Sequence, residues 1–258
     1  MRHIRTGYEE DLTERVDALG PDDLGVRDLE TSPSQLSVGA FRDRYARGGY
    51  RWTMTINQTA GAYLARAALR LGLRPVQLSL LNIALGMASS AGVLLLRPRL
   101  PIAAAVLGAV GWSLAYSLDC ADGQLARASM TTSPGGAILD LLGDYLVQIT
   151  VIFTMLAMGT AAMPTRWIAA FCVFVTGGWL ISPYYSGILG TGDLRSDPEM
   201  RSLRGWVRQA RDYGLHVAVL PFAALAGPPT VVTLLSLIAL LNFTALLLGI
   251  GANGRKGF

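Results

Sequence analysis

From Pro75 onward, apolar segments follow one another almost without pause, and nothing else in the chain constrains its fold as strongly. A helix needs about 20 apolar residues to cross the roughly 30 Å hydrocarbon core of a bilayer. Six stretches approach that length, at about 77–96, 101–120, 136–158, 165–185, 213–228 and 229–250. The fifth is short and contains Pro221, and the pair Pro228-Pro229 marks the turn into the sixth. Only 16% of the 258 residues are charged, against about 25% in soluble domains, and the mean hydropathy is +0.40. The expected fold is an all-α integral membrane protein with six transmembrane helices. The same composition excludes other classes. The two cysteines, Cys120 and Cys172, both lie in apolar stretches, which is no disulfide framework. The only histidines, His3 and His216, leave little for a zinc site. Hydrophobicity this high excludes disorder of the whole chain.

The flanks differ in sign. Residues 1–30 hold nine acids against four Arg and no apolar run, so residues 1–40 read as an acidic, flexible N-terminal tail. The start lacks an apolar core and a small-residue cleavage site, and no signal peptide is expected. Residues 41–75 form a basic juxtamembrane segment, with Arg42, Arg44, Arg47, Arg51, Arg66, Arg70 and Arg74 against the single acid Asp43. Within it Ile56, Ala60, Tyr63, Leu64, Ala67, Ala68 and Leu71 recur at helical spacing, with Arg66 and Arg70 off the stripe. Such a stripe suits an ordinary surface helix or one lying in the membrane interface; its place directly before a span favours the interfacial amphipathic helix. Residues 76–250 hold the six helices and 251–258 a short cytoplasmic tail. With both termini inside, the outer loops carry Arg97, Arg99 and Arg166, three of the 22 basic residues, which is a clear positive-inside bias. The 21 Arg against one Lys point to a high-GC genome. The expected setting is a prokaryotic plasma membrane, with termini and site cytoplasmic and no nucleic-acid partner.

Between Pro75 and Tyr185, 111 residues contain only four acids: Asp119, Asp122, Asp140 and Asp144. A carboxylate near the bilayer centre costs about 2.5–3.5 kcal/mol, and less near an interface, so four of them need a purpose. Asp119 and Asp122 are spaced i, i+3 at the inner end of the second span. Asp140 and Asp144 are spaced i, i+4 at the inner end of the third. Each pair shares a helix face. The short connection at about 128–135, with Ser133, Pro134 and Gly135, brings the two pairs face to face. Packed carboxylates repel unless cations sit among them, and oxygen ligands imply Mg²⁺ or Mn²⁺, with four able to hold two ions. Arg127 reaches the same pocket and suits a phosphate. Together these residues describe a two-metal phosphoryl-transfer site. Spacing alone also leaves open polar glue between helices and a carboxylate-lined ion transporter.

The residues themselves carry a resemblance. Asp119-x2-Asp122-Gly123-x2-Ala126-Arg127-x8-Gly136-x3-Asp140-x3-Asp144 is similar, at all eight fixed positions over 26 residues, to the signature of the CDP-alcohol phosphotransferases, also called CDP-alcohol phosphatidyltransferases. An interfacial helix, six spans and an inside active site are also that family's architecture. The resemblance implies transfer of a phosphoalcohol from a CDP-alcohol to a second alcohol, with release of CMP. It makes Asp119, Asp122, Asp140 and Asp144 ligands of two Mg²⁺ (or Mn²⁺) ions and Asp144 the general base. Asp119, Asp122, Gly123, Ala126, Arg127 and Ser133 become nucleotide contacts, Arg127 on the pyrophosphate. Upstream, where the family often has Pro-Asn-x-x-Thr, this chain reads Pro75-Val76-Gln77-Leu78-Ser79. The hydroxyl survives as Ser79, Val76 replaces the Asn, and residues 76–79 are expected to touch the nucleotide chiefly through the backbone.

Most bacterial members use CDP-diacylglycerol as donor, in phospholipid biosynthesis; others transfer from a soluble CDP-alcohol to a lipid or polyol. Arg195, Arg201, Arg204, Arg208 and Arg211, in the connection before the fifth span, suit a phosphorylated acceptor, or simply obey the positive-inside rule. Of these, Arg211-Asp212 looks the most specific. Many relatives are homodimers, and small residues at Gly159, Ala161, Ala162, Gly177 and Gly178 permit close helix packing.

Overall fold

The computed structural model describes residues 32–188 and 209–254, and among these the regular structure is helical, with no strand. The chain divides between Ser37 and Val38 into two units. In the first, Gln35 N–H donates to the Ser32 carbonyl at 2.8 Å and closes a turn. Every helix below belongs to the second.

Helix α1 covers Val38–Tyr45. A π-helical turn at Thr53–Asn57 leads into α2, Gln58–Arg70. This helix buries Gly61, Ala62, Ala65 and Ala68 against α4 (Pro101–Ala128). Three of the larger residues of the expected stripe turn outward, Ile56, Tyr63 and Leu71 being exposed, while Leu64 is half-buried. Small side chains let two helices approach closely, so α2 gives its small face to the protein and its large apolar residues to the surroundings. Gly72 ends α2 at φ +67°, with Leu73 N–H donating to Ala68 O at 2.9 Å, the 6→1 bond of a Schellman stop.

Prolines then set the helix starts, because the first helical residue needs no N–H partner and proline's φ is already helical. Helix α3 runs Pro75–Leu96, α4 Pro101–Ala128, α5 Pro134–Gly159, and α8 Pro228–Gly254. Between them lie α6, Thr165–Ile188, and α7, Tyr213–Ala223. All six apolar segments are helical and begin within two residues of their expected starts. Among the described residues, four are long and apolar enough to cross a membrane: α3, α4, α5 and the Pro228–Leu247 part of α8. The apolar stretches Thr165–Leu180 and Tyr213–Ala226 are shorter.

Helix α4 overruns its expected end by eight residues. Ala, Leu and Arg in this stretch propagate a helix well. It stops where Met130 takes φ +54° and Thr131 N–H closes onto Ala126 O at 2.9 Å. The acidic motif and Arg127 therefore ride on one unbroken helix.

Trp112 of α4, Val151 and Met155 of α5, Val217 of α7 and Leu235 of α8 meet in one buried cluster. Trp112 Nε1 donates to Ser90 Oγ of α3 at 3.0 Å. Outer faces invert the pattern of a water-soluble protein, with Leu95, Val110, Val173 and Leu240 all exposed. Two of the small residues expected to serve a dimer are used within the chain. A Cβ on Gly178 would stand 2.7 Å from Ala239 Cα, and one on Gly159 would stand 3.2 Å from Val231.

Candidate active site

Two helices supply the acidic groups. Asp119 and Asp122 lie one turn apart on α4, and Asp140 lies in the second turn of α5. One carboxylate oxygen from each falls within 4.8 Å of the other two. Asp122 is buried, Asp119 half-buried and Asp140 exposed, so the cluster opens on the Asp140 side. Helix α3 makes a third wall. Ser79 Oγ donates to Asp122 Oδ2 at 2.5 Å, and Asn82 Nδ2 to Asp119 Oδ1 at 3.2 Å. Both donors are neutral. At an effective dielectric of about 20, two charges at this separation repel by roughly 3 kcal/mol. Three carboxylates with neutral donors thus fit a hard divalent cation, whose charge removes that repulsion and whose ligands are oxygens.

Asp144 stands one turn beyond Asp140 and is not part of the three-oxygen cluster. Its Oδ2 accepts a hydrogen bond from Gln148 Nε2 at 2.8 Å. Arg127 is half-buried and anchored through its backbone-facing nitrogen, Nε donating to Tyr45 O at 2.6 Å. The guanidinium lies over Gly123: a Cβ there would stand 3.2 Å from both Nη1 and Nη2. Gly123 has a local role that spacing did not reveal, which is to leave room for Arg127.

The α3 residues divide by burial. Val76 and Gln77 are exposed at the helix start, and Leu78 is buried. Gln77 Oε1 caps the helix by accepting from Arg74 N–H at 2.8 Å. Ala126 is half-buried; exposed Ser133 caps α5, its Oγ accepting from Gly136 N–H at 3.1 Å. Arg195, Arg201, Arg204 and Arg208 lie outside the described residues. Arg211 is described, with Nε donating to Asn242 Oδ1 of α8 at 3.0 Å. Buried Asp212 accepts from Thr53 N–H at 2.9 Å, Thr53 Oγ1 at 2.5 Å and Gly214 N–H at 2.9 Å, tying the π-helical turn to α7.

Gln148 also borders a cavity of about 230 Å³, together with Tyr116, Trp179, Arg211, Tyr213 and Asn242 among others. Of the polar groups that shape the site, spacing missed Asn82, Gln148 and Asn242. A signal was present, since each is an amide isolated in an apolar span.

Helices of membrane-spanning length thus meet at three converged carboxylates that could hold a metal ion. In comparison with known proteins, residues 73–184, from the turn before α3 into α6, match the model of the CDP-alcohol phosphatidyltransferases. The family transfers a phosphoalcohol from a CDP-alcohol, as a transferase of substituted phosphate groups. None of the curated proteins compared with the chain matches it.

Proposed function

We propose that the protein transfers a phosphatidyl group from CDP-diacylglycerol to a hydroxyl of a polar alcohol, releasing CMP, in phospholipid biosynthesis. The observation that carries this reading is the meeting of Asp119, Asp122 and Asp140 within 4.8 Å, inside the stretch that matches the family model. Asp119, Asp122, Asp140 and Asp144 would hold two Mg²⁺ or Mn²⁺ ions. When bound, such ions neutralise the pyrophosphate and acidify the attacking hydroxyl. Asp144 is the general base: Gln148 fixes Oδ2, and Oδ1 takes the proton from the acceptor hydroxyl. Arg127 grips the pyrophosphate, with its orientation held by the Tyr45 carbonyl. The start of α3 (Val76, Gln77, Leu78 backbone, Ser79), with Gly123, Ala126 and Ser133, borders the nucleotide.

A lipid donor suits the surroundings of the open side. Ile138, Leu141 and Leu142 flank Asp140 and are exposed, as are Leu80 and Leu81 on α3, a surface for acyl chains beside a polar centre. The acceptor sits in the 230 Å³ cavity, which has room for about eight water-sized groups at roughly 30 Å³ each. Arg211 provides the positive charge there, assisted by Arg195, Arg204 and Arg208 if the acceptor is phosphorylated. The working form is a homodimer of six-span protomers in a plasma membrane, with an interfacial α2 and a cytoplasmic site.

The test supplies purified protein with CDP-diacylglycerol, Mg²⁺ and a panel of alcohols and alcohol phosphates. Acceptor-dependent CMP release supports the reading. Release only from soluble CDP-alcohols would reassign the donor, and no release from any pair would leave an ion transporter as the better account.

A further inference from the structure

The segment that follows α1 is tied to α4 at two points. Arg127 Nε donates to the Tyr45 carbonyl at 2.6 Å. One turn earlier on α4, buried Gln124 donates through Nε2 to Gln58 Oε1 at 2.7 Å, and Gln58 Nε2 donates to the Arg47 carbonyl at 3.1 Å. The backbone of Arg47 is thereby fixed beside Arg127, while its side chain stays exposed. Arg47 Nη1 donates to Ala46 O at 3.1 Å and to Arg44 O at 3.5 Å, and its Nε and Nη2 have no partner among the described residues. Of the charges that act on the Arg127 guanidinium, Arg47 acts most strongly, ahead of the carboxylates of Asp140 and Asp122. Among the described residues neither arginine forms an ion pair; the basic segment's ion pair is Arg42 with Asp43. Two guanidinium groups side by side repel unless an anion lies between them, and a phosphate suits both because each presents a fork of N–H donors. The pair is the counterpart of the acidic cluster next to it, where three carboxylates call for a cation.

We propose that Arg47 is the second arm of the phosphate grip and that, with Arg127, it spans both phosphate groups of the donor's diphosphate. Arg47 swings its free Nε and Nη2 onto one phosphate, while Arg127 holds the other over Gly123. A grip of this span discriminates between the two nucleotides of the reaction. CDP-alcohols and CDP carry two phosphates and engage both arms; CMP carries one and leaves an arm empty, which favours its departure after transfer. The inference rests on the reading of Arg127 as the pyrophosphate contact and adds a residue from outside the stretch that matches the family model.

CDP and CMP are titrated calorimetrically, with Mg²⁺ present, into the full-length wild type, Arg47→Gln, Arg47→Lys, Arg127→Gln and the double variant Arg47→Gln/Arg127→Gln. Wild type is expected to bind CDP at least tenfold more tightly than CMP. Arg47→Gln should weaken CDP about tenfold and CMP less than threefold, with Tm unchanged because the side chain is exposed; Arg47→Lys should restore part of the loss. The alternative is that Arg47 only caps the end of α1 and acts on the site through the Tyr45 carbonyl and Arg127. In that case Tm falls in Arg47→Gln, and the double variant binds CDP no more weakly than Arg127→Gln alone. A direct contact instead makes the double variant weaker still. CDP affinity within twofold of wild type in Arg47→Gln, equal losses for CDP and CMP, or a double variant identical to Arg127→Gln overturns the proposal. Wild type that binds neither nucleotide refutes the donor reading itself, whereas wild type that binds both with an unresponsive Arg47 refutes only the second arm.

Discussion

Gly123→Ala separates the site's geometry from its stability, because the two effects carry opposite signs. Gly123 lies inside α4, where alanine is favoured over glycine by about 1 kcal/mol, so the folded state should gain. The added methyl, however, would stand 3.2 Å from both terminal nitrogens of Arg127. The guanidinium must then move by a few tenths of an ångström, against the 2.6 Å bond that pins Nε to the Tyr45 carbonyl. A charge-assisted hydrogen bond of this kind contributes about 1.5–3 kcal/mol. If the methyl disrupts it and displaces the grip on the pyrophosphate, nucleotide affinity falls by about 10- to 100-fold. Calorimetric titration of CDP in the presence of Mg²⁺, beside thermal unfolding in the same detergent, measures both terms. The expected result is an unchanged or higher Tm with at least tenfold weaker CDP. Affinity within twofold of wild type would show that Arg127 is not held over Gly123 in the working site.

The acidic residues should part company under substitution. Asp119→Asn and Asp140→Asn should lose metal-dependent nucleotide binding and turnover together, whereas Asp144→Asn should still bind CDP but lose about 10²- to 10⁴-fold in CMP release. Wild-type turnover by Asp144→Asn would remove it as the base. Deleting residues 1–30 should leave CMP release within tenfold of the full chain, while deletion through Arg47 removes the Tyr45 carbonyl and should weaken CDP about tenfold; equal CDP affinity in both truncations would dissociate α1 from the site. Asp212→Ala strands three donors, two of them on Thr53, and should cost roughly 3 kcal/mol, about 6–12 °C in Tm, with little effect if the π-helical turn is not anchored there. Native mass spectrometry in mild detergent should find two copies, and a fully active monomer would refute the dimer.

Helix starts were legible in the sequence because proline marks them chemically, at Pro75, Pro101, Pro134 and Pro228. The acidic constellation was legible for a different reason: charge is rare enough in these segments that its spacing stands out. The end of α4 was not, since Met130 occupies a left-handed position that glycine usually announces. On α2 the large apolar residues drew the stripe, yet the buried face is the small one, and the choice between them depends on having α4 beside it. The Arg127–Tyr45 bond had no signal at all. It joins positions 82 residues apart through a backbone carbonyl, which every residue possesses. Asn82 and Gln148 lay between these extremes, visible as lone amides but without an assignable partner until α3, α4 and α5 were packed.

The unbroken course of α4 also makes it a ruler. At about 1.5 Å per residue, Asp119 stands roughly 27 Å along the axis from Pro101, Asp122 roughly 32 Å and Arg127 roughly 39 Å. With Pro101 at one edge of a hydrocarbon slab about 30 Å thick, the carboxylates arrive at the opposite edge and Arg127 clears it. A slab several ångströms thicker would draw Asp119 and Asp122 beneath the level of the head groups, and a thinner one would lift them into the aqueous layer. Tilt and local bilayer deformation absorb such mismatch at fractions of a kcal/mol per ångström. With the proposed lipid donor, acyl-chain length would act twice, once in the molecule being cleaved and once in the membrane that sets the depth of the carboxylates.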